Sequence, residues 1–120
     1  MALILLVDDD HSMRHFLSKA LERAGHDIVI AHDGHEALAK VKNSAHNFDL
    51  LLTDIVMPGM DGIQLSQKIV DIDPHLKVMF MTGFSAVLMD RKDLDKDTKM
   101  VSKPFHLKDL IEQVDKILAA

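Results

Sequence analysis

Short apolar runs alternate with helical stripes along this chain, and this alternation constrains the fold more than any other feature. Runs of strand length lie at residues 2–7, 27–31, 49–53 and 77–81, with a weaker run at 99–102. Between them, apolar residues recur at the spacing of one face of a helix. Strands that are apolar on both faces and separated by helices predict a parallel sheet covered by helices on both sides.

Capping residues delimit the predicted helices. Asp10 is expected to cap the start of the first helix and Gly25 its end. Asp61 and Gln64 form a predicted capping box for the third helix. The first helix presents a stripe formed by Met13, Phe16, Leu17, Ala20, Leu21 and Ala24.

Two later segments contrast with each other. Residues 107–118 carry the most regular helical stripe of the sequence, which predicts the last helix. Between Thr82 and Met100 the chain has few apolar residues after Met89 and many charges. A fourth helix in that segment is therefore predicted to be short or irregular.

Composition restricts the possible functions. A chain of 120 residues is long enough for one core, so we expect a single domain over residues 1–120. The net charge of −5 disfavours nucleic-acid binding, and the absence of cysteine excludes thiolate chemistry. The apolar run at the start has seven residues, whereas a membrane span needs roughly 20. We expect a cytoplasmic protein with no nucleic-acid or membrane partner.

Polar residues follow four of the predicted strands. Asp8 and Asp9 follow the first, Asp54 the third, Thr82 the fourth and Lys103 the fifth. In a parallel sheet of this kind the ligand site lies beyond the carboxyl ends of the strands. Three carboxylates at close range repel one another, and a hard divalent cation such as Mg²⁺ would compensate them.

Asp54 has the properties of a phosphoryl acceptor. It ends an apolar strand, and carboxylates can form an aspartyl phosphate. Phosphoryl transfer depends mainly on positioning and on positive charge. Mg²⁺, the Lys103 ammonium and the Thr82 hydroxyl would supply these.

Four stretches together resemble the receiver domain of bacterial response regulators in two-component signalling. They are LLVDDD, LLTDIVMPGMDG, MTGF and VSKPF, in this order. The resemblance implies a flavodoxin-like (βα)₅ fold with strand order 2-1-3-4-5. It also implies that Asp54 is phosphorylated by a histidine kinase or histidine phosphotransferase.

The same resemblance assigns roles to the other site residues. Asp9 would bind Mg²⁺ directly and Asp8 through water, with Asp54 and the backbone carbonyl of Val56 as further ligands. Thr82 and Lys103 would hold the phosphoryl group. Met100 occupies the position where such domains often carry an aromatic switch residue, so the usual conformational coupling is not expected here.

The last residues and the stretches TGFSAV and SKPFHLKDL resemble the CpdR type of stand-alone receiver from alphaproteobacteria. This implies output by protein contact, as an adaptor that delivers substrates to a ClpXP-type protease and is switched by phosphorylation. The sequence ends just after its last predicted helix, which fits a receiver with no output domain. We expect a monomer or weak dimer.

The sequence leaves three alternatives to compare with this function. A phosphoryl carrier that passes its phosphate to a downstream histidine protein stays open as the alternative. A phosphatase of the haloacid dehalogenase kind needs a second aspartate two residues after the nucleophile, and Val56 stands there, so we expect no enzyme. A receiver fold that is never phosphorylated is disfavoured by the intact set of site residues.

Overall fold

The computed structural model describes residues 2–43, 47–82, 100–102 and 106–119. The strands are β1 (Leu3–Val7), β2 (Asp27–Ala31), β3 (Leu50–Asp54), β4 (Lys77–Thr82) and β5 (Met100–Ser102). The helices are α1 (His11–Arg23), α2 (Gly34–Lys42), α3 (Gly62–Ile72) and α4 (Leu107–Ala119). The helix predicted between β4 and β5 falls outside the described residues. Within the described ranges no helix is long and apolar enough to cross a bilayer.

The five strands form one parallel sheet in the order β2-β1-β3-β4-β5. This confirms the predicted flavodoxin-like fold class and strand order. Strand β1 pairs with β2 on one side and with the central strand β3 on the other, and Leu5 lies beside both Val29 and Leu51. The strand order reverses between β1 and β3, which is where ligand sites form in such sheets.

Helices cover both faces of the sheet because successive residues of the central strands point to opposite faces. Ile4 and Leu6 pack with residues of α1 and α4, whereas Leu5 and Val7 pack with residues of α2 and α3. All four of these side chains are fully buried. Burying one such side chain contributes about 1.5–3 kcal/mol, so the apolar runs supply the driving force for this layered fold.

The predicted caps are present. The Met13 N–H donates to Asp10 Oδ1 at 3.1 Å, and Asp61 and Gln64 form a complete capping box. At the end of α1 the C-cap is Ala24, and Gly25 follows it with φ +99°. The Gly25 N–H donates to the Glu22 carbonyl and the His26 N–H to the Leu21 carbonyl, which is a Schellman motif.

Two residues of the predicted α1 stripe are on the surface, Phe16 within the helix and Ala24 at its C-cap. Phe16 is 54% exposed, although it belongs to the predicted stripe of α1. It lies to one side of the line through Leu17 and Leu21, which are fully buried against the sheet. Helical spacing alone does not mark where the buried face or the helix ends, so the prediction is wrong for both residues.

Strand β2 forms one edge of the sheet, and residues of α2 contact its outer side. The Asp27 N–H and the Ala31 carbonyl point towards β1, so the backbone groups of Ile30 point outward. Lys40 Nζ donates to the Ile30 carbonyl at 2.5 Å. The next outward group, the His32 N–H, donates to a carboxylate oxygen of Glu36 at 2.9 Å.

Candidate functional site

The reversal of strand order brings two acidic residues to the same edge of the sheet. Asp8 directly follows β1, and Asp54 is the last residue of β3. Val7 pairs with Thr53 in the parallel register, so Asp8 and Asp54 lie side by side at the carboxyl ends of neighbouring strands. The sequence predicted this meeting of residues that are 46 positions apart.

Asp8, Asp9 and Asp54 form an acidic cluster. One carboxylate oxygen from each lies within 4.8 Å of the other two. Asp8 is fully buried and Asp54 is 8% exposed, whereas Asp9 is exposed. Three carboxylates at this distance repel one another strongly where water is excluded. An open, oxygen-only donor set of this kind fits Mg²⁺, which binds one or two carboxylates and keeps several waters.

The turn after β1 is fixed by hydrogen bonds to Asp8. The Asp10 N–H donates to Asp8 Oδ1 at 2.9 Å, so this carboxylate has a set orientation. The Asp8 N–H donates to the Ala31 carbonyl at 3.3 Å, which continues the pairing with β2 by one residue. On the other side, Arg14 Nη1 donates to the Asp8 carbonyl at 2.7 Å.

Hydrogen bonds from the side chain of Thr53, to the neighbouring strand β4 and from the start of α3 fix the backbone around Asp54. Thr53 Oγ1 donates to the Asp54 carbonyl at 2.9 Å, and the Ile55 N–H donates to the Met81 carbonyl at 3.1 Å. The Gly62 N–H donates to the Ile55 carbonyl at 2.8 Å, which closes the loop between β3 and α3.

Gly62 is required by a close approach to Asp54. A Cβ at this position would lie 2.1 Å from the Asp54 carbonyl oxygen, so no side chain fits without moving the backbone. No role for Gly62, Thr53 or Arg14 was predicted from the sequence. The glycine directly after the N-cap Asp61 was the available signal, because that position has no conformational need for glycine.

The other predicted site residues have different positions. Thr82 is the last residue of β4 and is fully buried; its neighbour Met81 pairs with Asp54, so Thr82 lies at the same edge of the sheet. Val56 lies in the loop just beyond β3 with its side chain 53% exposed. Lys103 lies outside the described residues; in the sequence it follows Ser102, which pairs with Thr82.

Comparison with known proteins identifies the family of this site. The response regulator receiver domain matches residues 4–115. The response regulator receiver protein CpdR of Brucella abortus is 49% identical over 118 residues, which are 98% of this chain and 97% of that protein. The predicted resemblance to the CpdR type is therefore confirmed.

Longer relatives and solved structures give the same result. The transcriptional regulatory protein TrcR of Mycobacterium tuberculosis is 30% identical over 96% of this chain but only 44% of its own length. The response regulator TrrA of Thermotoga maritima, solved in complex with Mg²⁺-BeF, superposes with a TM-score of 0.84. It is 33% identical, and the match covers 98% of this chain and 99% of TrrA. This chain belongs to the response regulator receiver family of two-component signalling.

Proposed function

We propose that this receiver is a phosphorylation-dependent switch in which Asp54 accepts a phosphoryl group from a histidine kinase or histidine phosphotransferase. The observation that carries the proposal is the position of Asp54. Its carboxylate ends a buried strand and lies within 4.8 Å of the carboxylates of Asp8 and Asp9. Asp54 is thus at the edge of the sheet, where a phosphodonor can approach, and the carboxylates of Asp8 and Asp9 beside it can bind a cation.

The transfer is a displacement at phosphorus. A carboxylate oxygen of Asp54 attacks the phosphorus of a phosphohistidine, and an O–P bond forms as the N–P bond breaks. The electron pair of the broken bond stays on the imidazole nitrogen of the donor. The other ring nitrogen of the phosphohistidine carries a proton, so the ring leaves uncharged and the products are an aspartyl phosphate and a neutral histidine on the donor protein.

The acidic cluster binds Mg²⁺ in this proposal, through the carboxylates of Asp8, Asp9 and Asp54 and the backbone carbonyl of Val56. When bound, Mg²⁺ supplies the positive charge that lets a negative phosphoryl group enter an acidic site. The Asp10 N–H holds Asp8 Oδ1 at 2.9 Å, so the protein fixes this ligand in advance. Such preorganisation reduces the ordering needed when the cation binds.

Thr82 and Lys103 complete the site. The Thr82 hydroxyl at the end of β4 donates a hydrogen bond to a phosphoryl oxygen, and the Lys103 ammonium pairs with another. Both contacts exist only after phosphorylation, so they couple the state of Asp54 to the ends of β4 and β5. Met100, which begins β5, stands where related domains use an aromatic side chain, so we propose that the readout involves repacking of a flexible thioether.

The output is a change in binding to a protein partner. The near full-length similarity to a CpdR protein supports an adaptor role. A ClpX-type unfoldase is the partner that the resemblance implies, with phosphorylation controlling substrate delivery. We propose that residues 1–120 act as one receiver domain in a cytoplasmic phosphorelay, and that the chain is a monomer or weak dimer.

Intact mass after incubation with Mg²⁺ and acetyl phosphate tests the acceptor. Wild type gains one phosphoryl group, and the gain disappears with a chelator or in Asp54→Ala. Asp71→Ala is the matched control, since it removes an exposed carboxylate from α3 and leaves the cluster intact. A phosphorylated histidine phosphotransferase is then used as the donor in the same assay.

Three outcomes would change the proposal. A mass gain that persists in Asp54→Ala would assign the phosphate to another residue. No gain from either donor, in a protein that also fails to bind Mg²⁺, would exclude phosphorylation as the switch. Rapid transfer of the phosphoryl group from Asp54 to a downstream histidine protein would favour the carrier function over the adaptor function.

A further inference from the structure

Arg14 contacts the acidic turn without contributing a ligand. It lies one turn into α1, and its side chain extends back towards the start of the helix. Arg14 Nη1 donates to the carbonyl oxygen of Asp8 at 2.7 Å. Hydrogen bonds from a guanidinium are stronger than neutral ones, so this contact holds the backbone at the end of β1.

A second contact fixes the guanidinium itself. Arg14 Nη2 lies 3.3 Å from His11 Nδ1, and because arginine only donates, the histidine nitrogen accepts. Arg14 is partly buried, which limits its alternative rotamers. Two directional contacts on one planar group therefore set the position of the Asp8 carbonyl.

We infer that Arg14 is a positioning residue for the acidic cluster, which orients the Asp8–Asp9 peptide and so sets the affinity for a divalent cation. The inference rests on the proposed function, because it assigns a task to Arg14 at the proposed Mg²⁺ site. The peptide that follows the Asp8 carbonyl carries Asp9. Rotation of that peptide would move the Asp9 carboxylate away from Asp8 and Asp54.

Charge and geometry have opposite effects here, so the sign of the measured change separates them. Arg14 adds positive charge beside an acidic site. Removing that charge alone would tighten binding of Mg²⁺, by an amount that added salt reduces. Losing the contact to the Asp8 carbonyl loosens the ligands and weakens binding. Positioning is the correct role if the variant without the guanidinium binds Mg²⁺ more weakly.

The experiment compares Arg14→Met and Arg14→Lys with wild type by Mg²⁺ titration. The chain has no Trp or Tyr, so amide shifts of a ¹⁵N-labelled protein are the better signal. Arg14→Met is expected to raise the Kd for Mg²⁺ about tenfold, the lower end of the effect of losing an outer-shell partner. Arg14→Lys, whose ammonium keeps one donor, is expected to stay within about threefold of wild type.

Arg23→Met is the matched control. It makes the same substitution in the last turn of α1, away from the acidic turn, and is expected to leave the Kd unchanged. Amide exchange of Asp10 without metal is the second readout. Its N–H bonds to Asp8 Oδ1, so exchange is expected to be faster in Arg14→Met and unchanged in Arg23→Met.

Each result has a definite meaning. An unchanged or lower Kd in Arg14→Met, with wild type binding Mg²⁺, would overturn the inference and leave the proposed function standing. Wild type that binds no Mg²⁺ would overturn both. If Arg14→Met does not fold, Arg14→Lys tests the inference instead. A folded Arg14→Lys that no longer binds Mg²⁺ would contradict the expectation that its one remaining donor keeps the Asp8 carbonyl in place.

Discussion

The two ends of the sheet place charged groups in opposite ways. At the amino-terminal end, each of three side chains meets a complementary group. The contacts are His26 Nε2 with Asp115 Oδ1 at 3.0 Å, the Leu3 N–H with Asp49 Oδ2 at 2.8 Å, and Lys77 Nζ with the Ile117 carbonyl at 2.8 Å. At the carboxyl end, three carboxylates lie within 4.8 Å of one another.

The charged side chains at the amino-terminal end stabilise the fold, whereas those at the carboxyl end form the candidate functional site. At the amino-terminal end the contacts join α4 to β4 and to the residue before β2. The Ala2 N–H donates to His26 Nδ1, so His26 carries its proton on Nε2 and donates to Asp115. At the carboxyl end three carboxylates lie close enough to repel one another, a repulsion that the Mg²⁺ of the proposed function would offset.

The largest expected effect comes from adding a side chain at either end. Gly62→Ala places a Cβ 2.1 Å from the Asp54 carbonyl oxygen, so the backbone at the acceptor must move. We expect a loss of about 3 kcal/mol in unfolding free energy, the upper end of overpacking effects, together with loss of phosphorylation. Denaturant unfolding and the acetyl phosphate assay measure these.

Gly25→Ala is the control at the amino-terminal end. Its φ of +99° is unfavourable for alanine, but nothing lies within 4 Å of the added Cβ. We expect a loss of about 1 kcal/mol and normal phosphorylation. Equal loss of phosphorylation in both variants would show that general destabilisation, and not displacement of Asp54, controls the site.

The second effect comes from removing one charge of the acidic cluster. Asp9→Asn is expected to weaken Mg²⁺ binding at least about tenfold, since even outer-shell changes reach that size. In metal-free buffer it is expected to raise the unfolding free energy by up to about 1 kcal/mol, because repulsion between carboxylates is reduced. Unfolding with and without Mg²⁺ measures both. A destabilised metal-free Asp9→Asn would contradict the contrast between the two ends.

The third effect comes from removing a carboxylate at the amino-terminal end, where we expect the unfolding free energy to fall and not to rise. Asp115→Asn replaces the carboxylate that accepts from His26 Nε2 with a weaker, uncharged acceptor, and is expected to lower the unfolding free energy by about 0.5 kcal/mol, the lower end for one hydrogen bond. Mg²⁺ affinity and phosphorylation are expected to stay at wild-type values. Glu112→Gln, an exposed change on the same helix, serves as the control. A change in Mg²⁺ affinity would show that the two ends are coupled.

The smallest effect concerns Glu36 of α2, which accepts a hydrogen bond from the His32 N–H just after the edge strand β2. Partial burial alone would raise the pKa of Glu36, but hydrogen bonds from the His32 backbone and ring and the charge of Lys40 outweigh it. The pKa is lowered from its usual value of 4.5. A lowered pKa stabilises the fold above that value, and the contribution is lost as pH falls through the folded-state pKa.

Glu36→Gln is therefore expected to be slightly less stable than wild type at pH 7. The difference should shrink as pH falls below the usual pKa of 4.5 and disappear below the lower pKa of the folded state. Thermal unfolding across this pH range measures it. A difference that grows on acidification would mean that the carboxylate does not stabilise the folded state.

The sequence predicted the fold and the acidic cluster because both depend on residue type at regular positions. Continuous apolar runs such as residues 49–53 predicted strands that are buried on both faces. The rule that sites form at the carboxyl ends of parallel strands then brought Asp8, Asp9 and Asp54 together. The capping roles of Asp10 and Asp61 followed from short polar side chains before helical stripes.

Other features could not be predicted because they depend on tertiary distances to backbone atoms. Arg14 and Thr53 act on carbonyl oxygens, and no side-chain pattern shows which carbonyl a residue will reach. Gly62 is required by the close approach of the start of α3 to the Asp54 carbonyl at the end of β3.

The structure brings Asp8, Asp9 and Asp54 together. The roles predicted for them, and for Val56, Thr82 and Lys103, stay predictions that the metal titration and phosphorylation assays test.

The contacts of α2 with β2 bear on how this protein behaves at high concentration. An edge strand offers outward backbone groups with which a strand of another molecule could pair. Lys40 occupies the Ile30 carbonyl and Glu36 the His32 N–H, so two consecutive pairing positions are closed. Intermolecular sheet extension along β2 is thereby hindered at these positions, so we expect less aggregation along this edge than a bare edge strand would allow.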